Sequence, residues 1–260
     1  MKWYIGKRNY LRKTNHFLNL VGINLKKILY LKNLIKYIKQ YFFFKKLGGE
    51  VRSFYPMLDD FEDSAGNIKN HLFHSDLLTS QKVFEKKPQK HLDIGSRIDG
   101  VIAQISSFRS LDVLDIRDLS IYPHKNINFV KKDLLTILDL GEEEKYDSIS
   151  SIGCLAHIGL GRYGDTIDPN GFKKAVKSIK ELAKKNCNVY VLVPVGKEGV
   201  EFNAHKIFKT EKIIKEFEIN GFNLHEFHLI NDSGDLILNS KIKHSIDLNF
   251  GGGYFVFQKQ

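Results

Sequence analysis

HLDIGSRIDG, residues 91–100, decides how the rest of the chain reads. An apolar run ends in Asp93, a glycine stands at 95, and a helix-like segment covers 101–108. A second apolar run, VLDIR, then ends in Asp115, twenty residues after that first glycine. Gly95 lets the chain turn sharply off a first strand where a Cβ would block a ligand, and the helix start that follows offers unpaired N–H groups. An acid at the carboxyl end of the neighbouring strand can accept from both hydroxyls of a ribose. The spacing is that of a unit that binds an adenosyl group.

Carboxyl-terminal to this unit the alternation continues. A short strand over 127–130 is followed by Asp133, which can accept from an adenine amino group, and by Leu134, which can pack on the ring. A strand over 148–152 opens into a polar, glycine-rich loop, residues 153–171. That loop holds His157, Arg162, Tyr163, Asp165 and Asp168. Loops at the carboxyl ends of parallel strands are where such sheets do chemistry. A lysine-rich amphipathic helix is expected over 172–184, with Ala175, Ile179 and Leu182 inward, and then a strand over 189–196. EFNAHKIF puts His205 at the same edge of the sheet. Thr210 is the expected N-cap of a helix over 211–218, which Asn220-Gly221 stops. Two strand-like stretches, LHEFHLI and GYFVFQK, close the chain with no helix between them. The expected architecture is α/β: a Rossmann-like, seven-stranded methyltransferase sheet finished by an antiparallel hairpin, with an N-terminal helical extension.

On the amino-terminal side, a helix over 77–85 leads into the first strand. His71, His74 and Asp76 precede it within six residues and read either as a local hydrogen-bonded turn or as groups that reach a substrate, His74 and Asp76 above all. Residues 50–80 are acidic and turn-rich, and the composition changes abruptly before them. Residues 1–48 hold twelve Lys and Arg and no Asp or Glu; the remaining 28 basic and 30 acidic residues sum to −2 of the chain's formal +10. The basicity is therefore local, and the body offers no general nucleic-acid footprint. Two domains are expected, a basic helical extension over 1–48 and a catalytic body over 49–260.

Within the extension, Ile28, Leu31, Leu34, Ile35, Ile38 and Phe42 recur at three and four among Lys27, Lys32, Lys36 and Lys39, and Gly48-Gly49 ends the pattern. Phe42–Phe44, Trp3 and Tyr4 add aromatic surface. The segment reads as an anchor on an anionic inner-leaflet surface, or as a helix that caps the body. It has neither the small-residue cleavage site of a signal peptide nor eighteen uncharged apolar residues in a row. Cys154 and Cys187 have neither disulfide nor zinc-site spacing, so a reduced, cytoplasmic protein without a metal is expected.

The runs FHSDLL, HLDIGSRIDG, LDIRDL, HIGLGRYGDTIDPNG, VPVG and FNAHKIF, in this order, resemble the DUF268 family of bacterial and nematode proteins, from about residue 54 to 257. That family is placed among class I S-adenosylmethionine-dependent methyltransferases and is associated with bacterial surface-glycan synthesis. The resemblance implies S-adenosylmethionine as cofactor, with Asp93, Gly95 and Ser96 forming its glycine turn, Asp115 on the ribose and Asp133 at the adenine. Many class I enzymes have G-x-G-x-G after the first strand; here Arg97 stands near that turn, either to pair with the methionine carboxylate or to occlude the site.

Methyl transfer asks the protein to align donor and acceptor and to supply a base when the acceptor is a hydroxyl. His157 and His205 are the candidate bases, with Asp165 or Asp168 orienting them or binding acceptor hydroxyls; Arg162 can hold an anionic group, and Tyr163 lies beside it. The expected acceptor is a sugar or a nucleotide- or lipid-linked glycan precursor. Three other classes compete: a dehydrogenase, which lacks its G-x-G-x-x-G here; an RNA-modifying enzyme using the basic arm; and a non-catalytic membrane adaptor on a degenerate methyltransferase fold.

Overall fold

The computed structural model describes residues 14, 17–20, 22–66, 68–119, 124–137 and 145–260. Trp3 and Tyr4 lie outside them. The chain forms two compact units, residues 1–67 and 68–260; the change of composition at 48/49 falls inside the first.

In the first unit the expected continuous helix is broken into α1 (Leu25–Leu29), a 3₁₀ turn (Tyr30–Asn33) and α2 (Leu34–Lys46). Gly48, at φ +88°, ends it.

In the second unit eight strands form one sheet among the described residues: β1 (His91–Ile94), β2 (Leu111–Asp115), β3 (Ile127–Lys131), β4 (Tyr146–Ile152), β5 (Ala183–Val195), β8 (Phe222–Ile230), β9 (Leu236–Ile237) and β10 (Gly251–Lys259). β6 (Gly199–Glu201) and β7 (His205–Ile207) make a separate antiparallel hairpin. The sheet order is β3-β2-β1-β4-β5-β10-β8-β9. β1 to β5 are mutually parallel, while β10 runs antiparallel to both β5 and β8. The expected terminal antiparallel pair is present, with its second strand inserted between β5 and β8 and the two-residue β9 added as an eighth strand.

Helices cover both faces of the sheet. α5 (Gly171–Leu182) buries Phe172, Ala175, Val176, Ile179 and Leu182, a three-and-four spacing, and α6 (Thr210–Ile219) buries Ile213, Ile214 and Phe217 in the same cluster. On the other face α3 (His71–Lys86) contributes Val83, beside Val101, Ile102 and Ile105. A central strand covered on both sides is buried without alternation, as β1 and the first seven residues of β10 are.

Three local expectations are corrected. α3 starts at His71 rather than 77, because the Asn70 side chain caps it by accepting from Phe73 N–H at 2.7 Å. Thr210 is not an N-cap; Lys209 holds that position, and Thr210 Oγ1 is buried 2.6 Å from Ser245 Oγ. The segment after β1 is a π-helical turn (Ile98–Ile102) broken at Gly100, and only the four-residue α4 (Ala103–Ser106) follows. A Cβ on Gly100 would stand 2.7 Å from Asp76 Oδ2, so α3 approaches this turn through the missing side chain.

Candidate active site

A cavity of about 280 Å³ opens at the carboxyl ends of β1, β2, β3 and β4. Gly95 and Arg97 line it from the first turn, Asp115 and Arg117 from the second, Asp133 and Leu134 from the third, and His157, Arg162, Tyr163 and Asp165 from the fourth loop. This is the topological edge at which open α/β sheets hold ligands.

The glycine turn is built from beneath. Gly95 has φ +66°, and a Cβ there would lie 2.4 Å from Cys154 Sγ, so both conformation and space require glycine. Asp93 and Ser96 are buried and do not face the cavity. The Asp93 carboxylate accepts from Ser96 N–H (3.0 Å), Ser96 Oγ (2.8 Å) and Ser150 Oγ, and Ser96 Oγ in turn accepts from Ile152 N–H at 3.0 Å. Both residues shape the turn rather than touch what it would hold. Burial pushes the Asp93 carboxyl up to about 6, against the pull of these hydrogen bonds. Cys154 also lines the cavity; burial, with Asp115 and Asp93 nearby, pushes its thiol up to about 12, so it stays a neutral packing group.

Asp115 ends β2 at 7% exposure, where a ribose-binding acid belongs, but its carboxylate is held by a residue the sequence reading passed over. Arg117 donates its backbone N–H to Oδ1 at 2.8 Å, Nε to Oδ1 at 2.9 Å and an Nη2 proton to Oδ2 at 2.5 Å. This fork is a strong ion pair and keeps Arg117 fully cationic. The signal was there: an acid and an arginine two apart in DIRDL, directly after a strand. Asp133 accepts from Leu135 N–H through Oδ1 at 2.9 Å, and Leu134 is buried beside it. Arg97 does not fill the cavity; its side chain is 63% exposed and forked onto Asp99.

In the fourth loop, His157 is held from the β6–β7 hairpin. Its Nδ1–H donates to Ala204 O at 2.6 Å, and Arg162 Nη1 donates to the same carbonyl at 2.7 Å. That bond leaves Nε2 as the lone-pair nitrogen of the neutral ring. Burial, then the Arg162 charge, lowers the His157 pKa to about 4. The Tyr163 ring lies within cation–π reach of both Arg117 (4.8 Å) and Arg162 (5.1 Å), so one aromatic residue links the second and fourth loops.

Asp165 lines the cavity but spends its carboxylate on the loop, accepting from Gly159, Gly161 and Tyr163 N–H at 2.8, 3.2 and 3.2 Å. Burial opposes its ionisation, yet these donors outweigh it and its pKa is lowered. Asp168 lies outside the cavity, paired with Lys174 at 2.7 Å and capping Asn170 N–H. Neither aspartate touches the His157 ring. His205 is adjacent, with ring centroids 6.5 Å apart, but its Nε2 lies 3.2 Å from a Glu201 oxygen and its ring lies tilted against Phe250 at 4.7 Å. His74 donates to Gly234 O at 3.1 Å, away from the cavity. Asp76 sits against Gly100, where burial, then the nearby Asp93, pushes its carboxyl up to about 7. Among the described residues no group of three or more His, Cys, Asp and Glu is arranged to hold a metal.

The sheet order, with one antiparallel strand inserted before the last parallel one, and the position of the cavity define the Rossmann-like fold of class I S-adenosylmethionine-dependent methyltransferases. Residues 130–250 match the family model described as Caenorhabditis protein of unknown function, DUF268. The match covers the third strand onward and is shorter than the 54–257 resemblance. Among solved structures, the chain is similar to the 1,6-didemethyltoxoflavin-N1-methyltransferase of Burkholderia thailandensis, crystallised with S-adenosylhomocysteine, at 12% identity over 78% of this chain and 81% of that one, with a TM-score of 0.51. It is similar to a protein of Galdieria sulphuraria provisionally described as a sarcosine dimethylglycine methyltransferase, at 15% identity, 85% and 97% coverage and a TM-score of 0.53. It is also similar to the [4+2]-cyclase SpnF, at 10% identity, 71% and 80% coverage and a TM-score of 0.51. No curated protein sequence matches the chain. These likenesses speak for the fold; a cyclase among them illustrates that the fold does not choose the reaction.

Proposed function

We propose that this chain is an S-adenosylmethionine-dependent methyltransferase that O-methylates a sugar, or a nucleotide- or lipid-linked surface-glycan precursor. The observation that carries the reading is the convergence of Gly95, Asp115, Asp133 and Leu134 on one cavity, with His157 and Arg162 on its other wall. The residues fit the cofactor: a backbone turn closed to side chains, an acid for the ribose, and an acid and a leucine for the adenine. When bound, S-adenosylmethionine supplies a methyl group on a sulfonium. Arg162 offers a fixed cation to a phosphate on the acceptor. His157 Nε2 would accept the proton of the acceptor hydroxyl as its oxygen gains the methyl carbon and the carbon–sulfur bond of the sulfonium breaks to leave a neutral thioether, and the ring would then release that proton to solvent.

Because burial lowers the His157 pKa to about 4, its ring is unprotonated and free to accept a proton through the whole neutral range, as a weak base whose leverage comes from position. Turnover is expected to stay level from pH 8 to 6 and to fall below about pH 5 as the ring protonates. His157→Ala should lower turnover by ~100-fold while changing cofactor affinity less than ~2-fold. Release of S-adenosylhomocysteine from nucleotide-sugar acceptors, followed against pH, checks both. A large loss of cofactor affinity with intact turnover would remove the base role.

One observation favours a second reading, a non-catalytic adaptor on a degenerate fold: Arg117 already engages both oxygens of Asp115. Calorimetric titration of the full chain with S-adenosylmethionine and S-adenosylhomocysteine separates the two. Micromolar binding supports the enzyme; no binding of either compound supports the adaptor.

A further inference from the structure

The first unit presents an apolar stripe edged with lysines. On α2, Ile35, Ile38 and Phe42 recur at three and four and share one helix face, with 66%, 42% and 65% of their surface exposed. The other side of the same helix is used within its own unit, where Tyr37 and Tyr41 lie against the Phe54 ring at centroid distances of 6.4 and 4.5 Å. α2 is therefore held through Tyr37 and Tyr41 and leaves Ile35, Ile38 and Phe42 exposed. Ile28, Leu29 and Leu31 add further exposed apolar surface in the preceding turns. Lys39 and Lys46 stand four residues after Ile35 and Phe42, on the border of the stripe, and both are exposed.

The charge identifies what such a face suits. Residues 1–48 carry twelve basic residues and no acidic one. A protein partner of mixed charge would be met by charges of both signs. The acidic residues of the same unit, at 50 and between 59 and 63, lie outside α1 and α2, so along the helix the exposed apolar side chains alternate with Lys39 and Lys46 and match a surface that is negative outside and apolar just beneath, which is an anionic lipid bilayer. No helix among the described residues is long and apolar enough to cross a membrane, so α2 would lie along it.

We propose that α1 and α2 dock on an anionic lipid surface, with Ile35, Ile38 and Phe42 entering the boundary between headgroups and acyl chains and Lys39 and Lys46 meeting lipid phosphates. The inference stands apart from the methyl-transfer reading and survives if that reading fails.

Sedimentation of the full chain with vesicles tests it. The wild type is expected to pellet with phosphatidylglycerol-containing phosphatidylcholine vesicles and at least ~10-fold less with phosphatidylcholine alone or at high salt. Ile35→Asp/Phe42→Asp and, separately, Lys39→Gln/Lys46→Gln should each reduce binding by roughly tenfold. All four positions are exposed, and unchanged thermal melting of each variant verifies folding. Three outcomes would overturn the proposal. Wild-type protein that stays in the supernatant, or that binds both vesicle types equally, removes the anionic surface. Self-association that disappears in the Asp variant, without vesicle binding, assigns the stripe to a second copy of this chain. Binding of single-stranded RNA that the Gln variant loses, with vesicles ignored, assigns the lysines to nucleic acid.

Discussion

Asp115→Ala is expected to weaken S-adenosylmethionine binding by ~100-fold, whereas Arg117→Ala is expected to tighten it by ~5-fold to 10-fold. The two signs follow from one carboxylate. Asp115 sits at 7% exposure at the end of β2, and the backbone and guanidinium of Arg117 occupy both of its oxygens. Two ribose hydroxyls bonded to an ionised acceptor contribute ~3 kcal/mol together, which is the factor lost in the alanine variant. Before they can bond, the Nε and Nη2 contacts must loosen, and that cost is charged against affinity. Removing the guanidinium leaves a nearly buried carboxylate in need of donors, so the ligand is drawn in more strongly while the protein alone loses stability.

Calorimetry on both variants and on the double variant measures the coupling. Weaker binding in Arg117→Ala would mean that the guanidinium touches the ligand instead of competing with it. Because Arg117 also lies over Tyr163, its release would free the ring that borders Arg162 and His157. Cofactor and acceptor are then expected to bind in that order, visible as an acceptor affinity that rises when S-adenosylhomocysteine is present.

Asp93→Ala is expected to destabilise the second unit by ~4 kcal/mol, with Asp93→Asn costing only ~1 kcal/mol. Alanine would strip the acceptor from Ser96 N–H, Ser96 Oγ and Ser150 Oγ at once, in a place water does not reach. Asparagine keeps an acceptor for Ser96. Its amide would donate to Ser150 Oγ, which can then turn its proton toward His91 Nε2, 3.1 Å away, while His91 Nδ1 donates to Ser148 Oγ at 2.8 Å. The pH dependence carries a definite sign. The folded-state pKa of Asp93, about 6, is above its unfolded value of 3.8. Its contribution is therefore full below pH 3.8 and declines as pH rises through about 6, because the folded state then holds a proton that the unfolded chain has released. Urea unfolding of wild type and Asp93→Asn between pH 4 and 7 should show a steeper decline in the wild type, because Asp76, whose carboxyl is also raised, contributes equally to both. Equal slopes in the two proteins would assign the whole decline to Asp76 and other groups.

Much of this protein was legible from local pattern. The buried spacing of α5, the glycine at 95, the acids closing β2 and the third strand, and the loop rich in polar groups at 153–171 all lie where the sequence places them. These features depend on residues within one or two turns of each other: a helix face repeats every three or four residues, and a strand entering a ligand turn needs a residue without a Cβ. The length of α3 was misjudged because an asparagine cap looks like any polar residue until its N–H partner is known.

Which partner each polar group of the site holds was decided by contacts between distant residues. Asp93, Ser96 and Asp165 looked like ligand contacts and are framework, since donors from the turn, from β4 and from the loop consume their oxygens. His157 has its Nδ1–H bonded to a carbonyl 47 residues away, which leaves Nε2 as the lone-pair nitrogen, with His205 as its neighbour. The insertion of β10 between β5 and β8 is likewise invisible in the chain order. Composition and periodicity determined which residues face a core and which gather at the strand ends, because burial is a property of short stretches. Only the tertiary structure decided which donor meets which acceptor, because strand register and loop docking bring together groups that no local pattern connects.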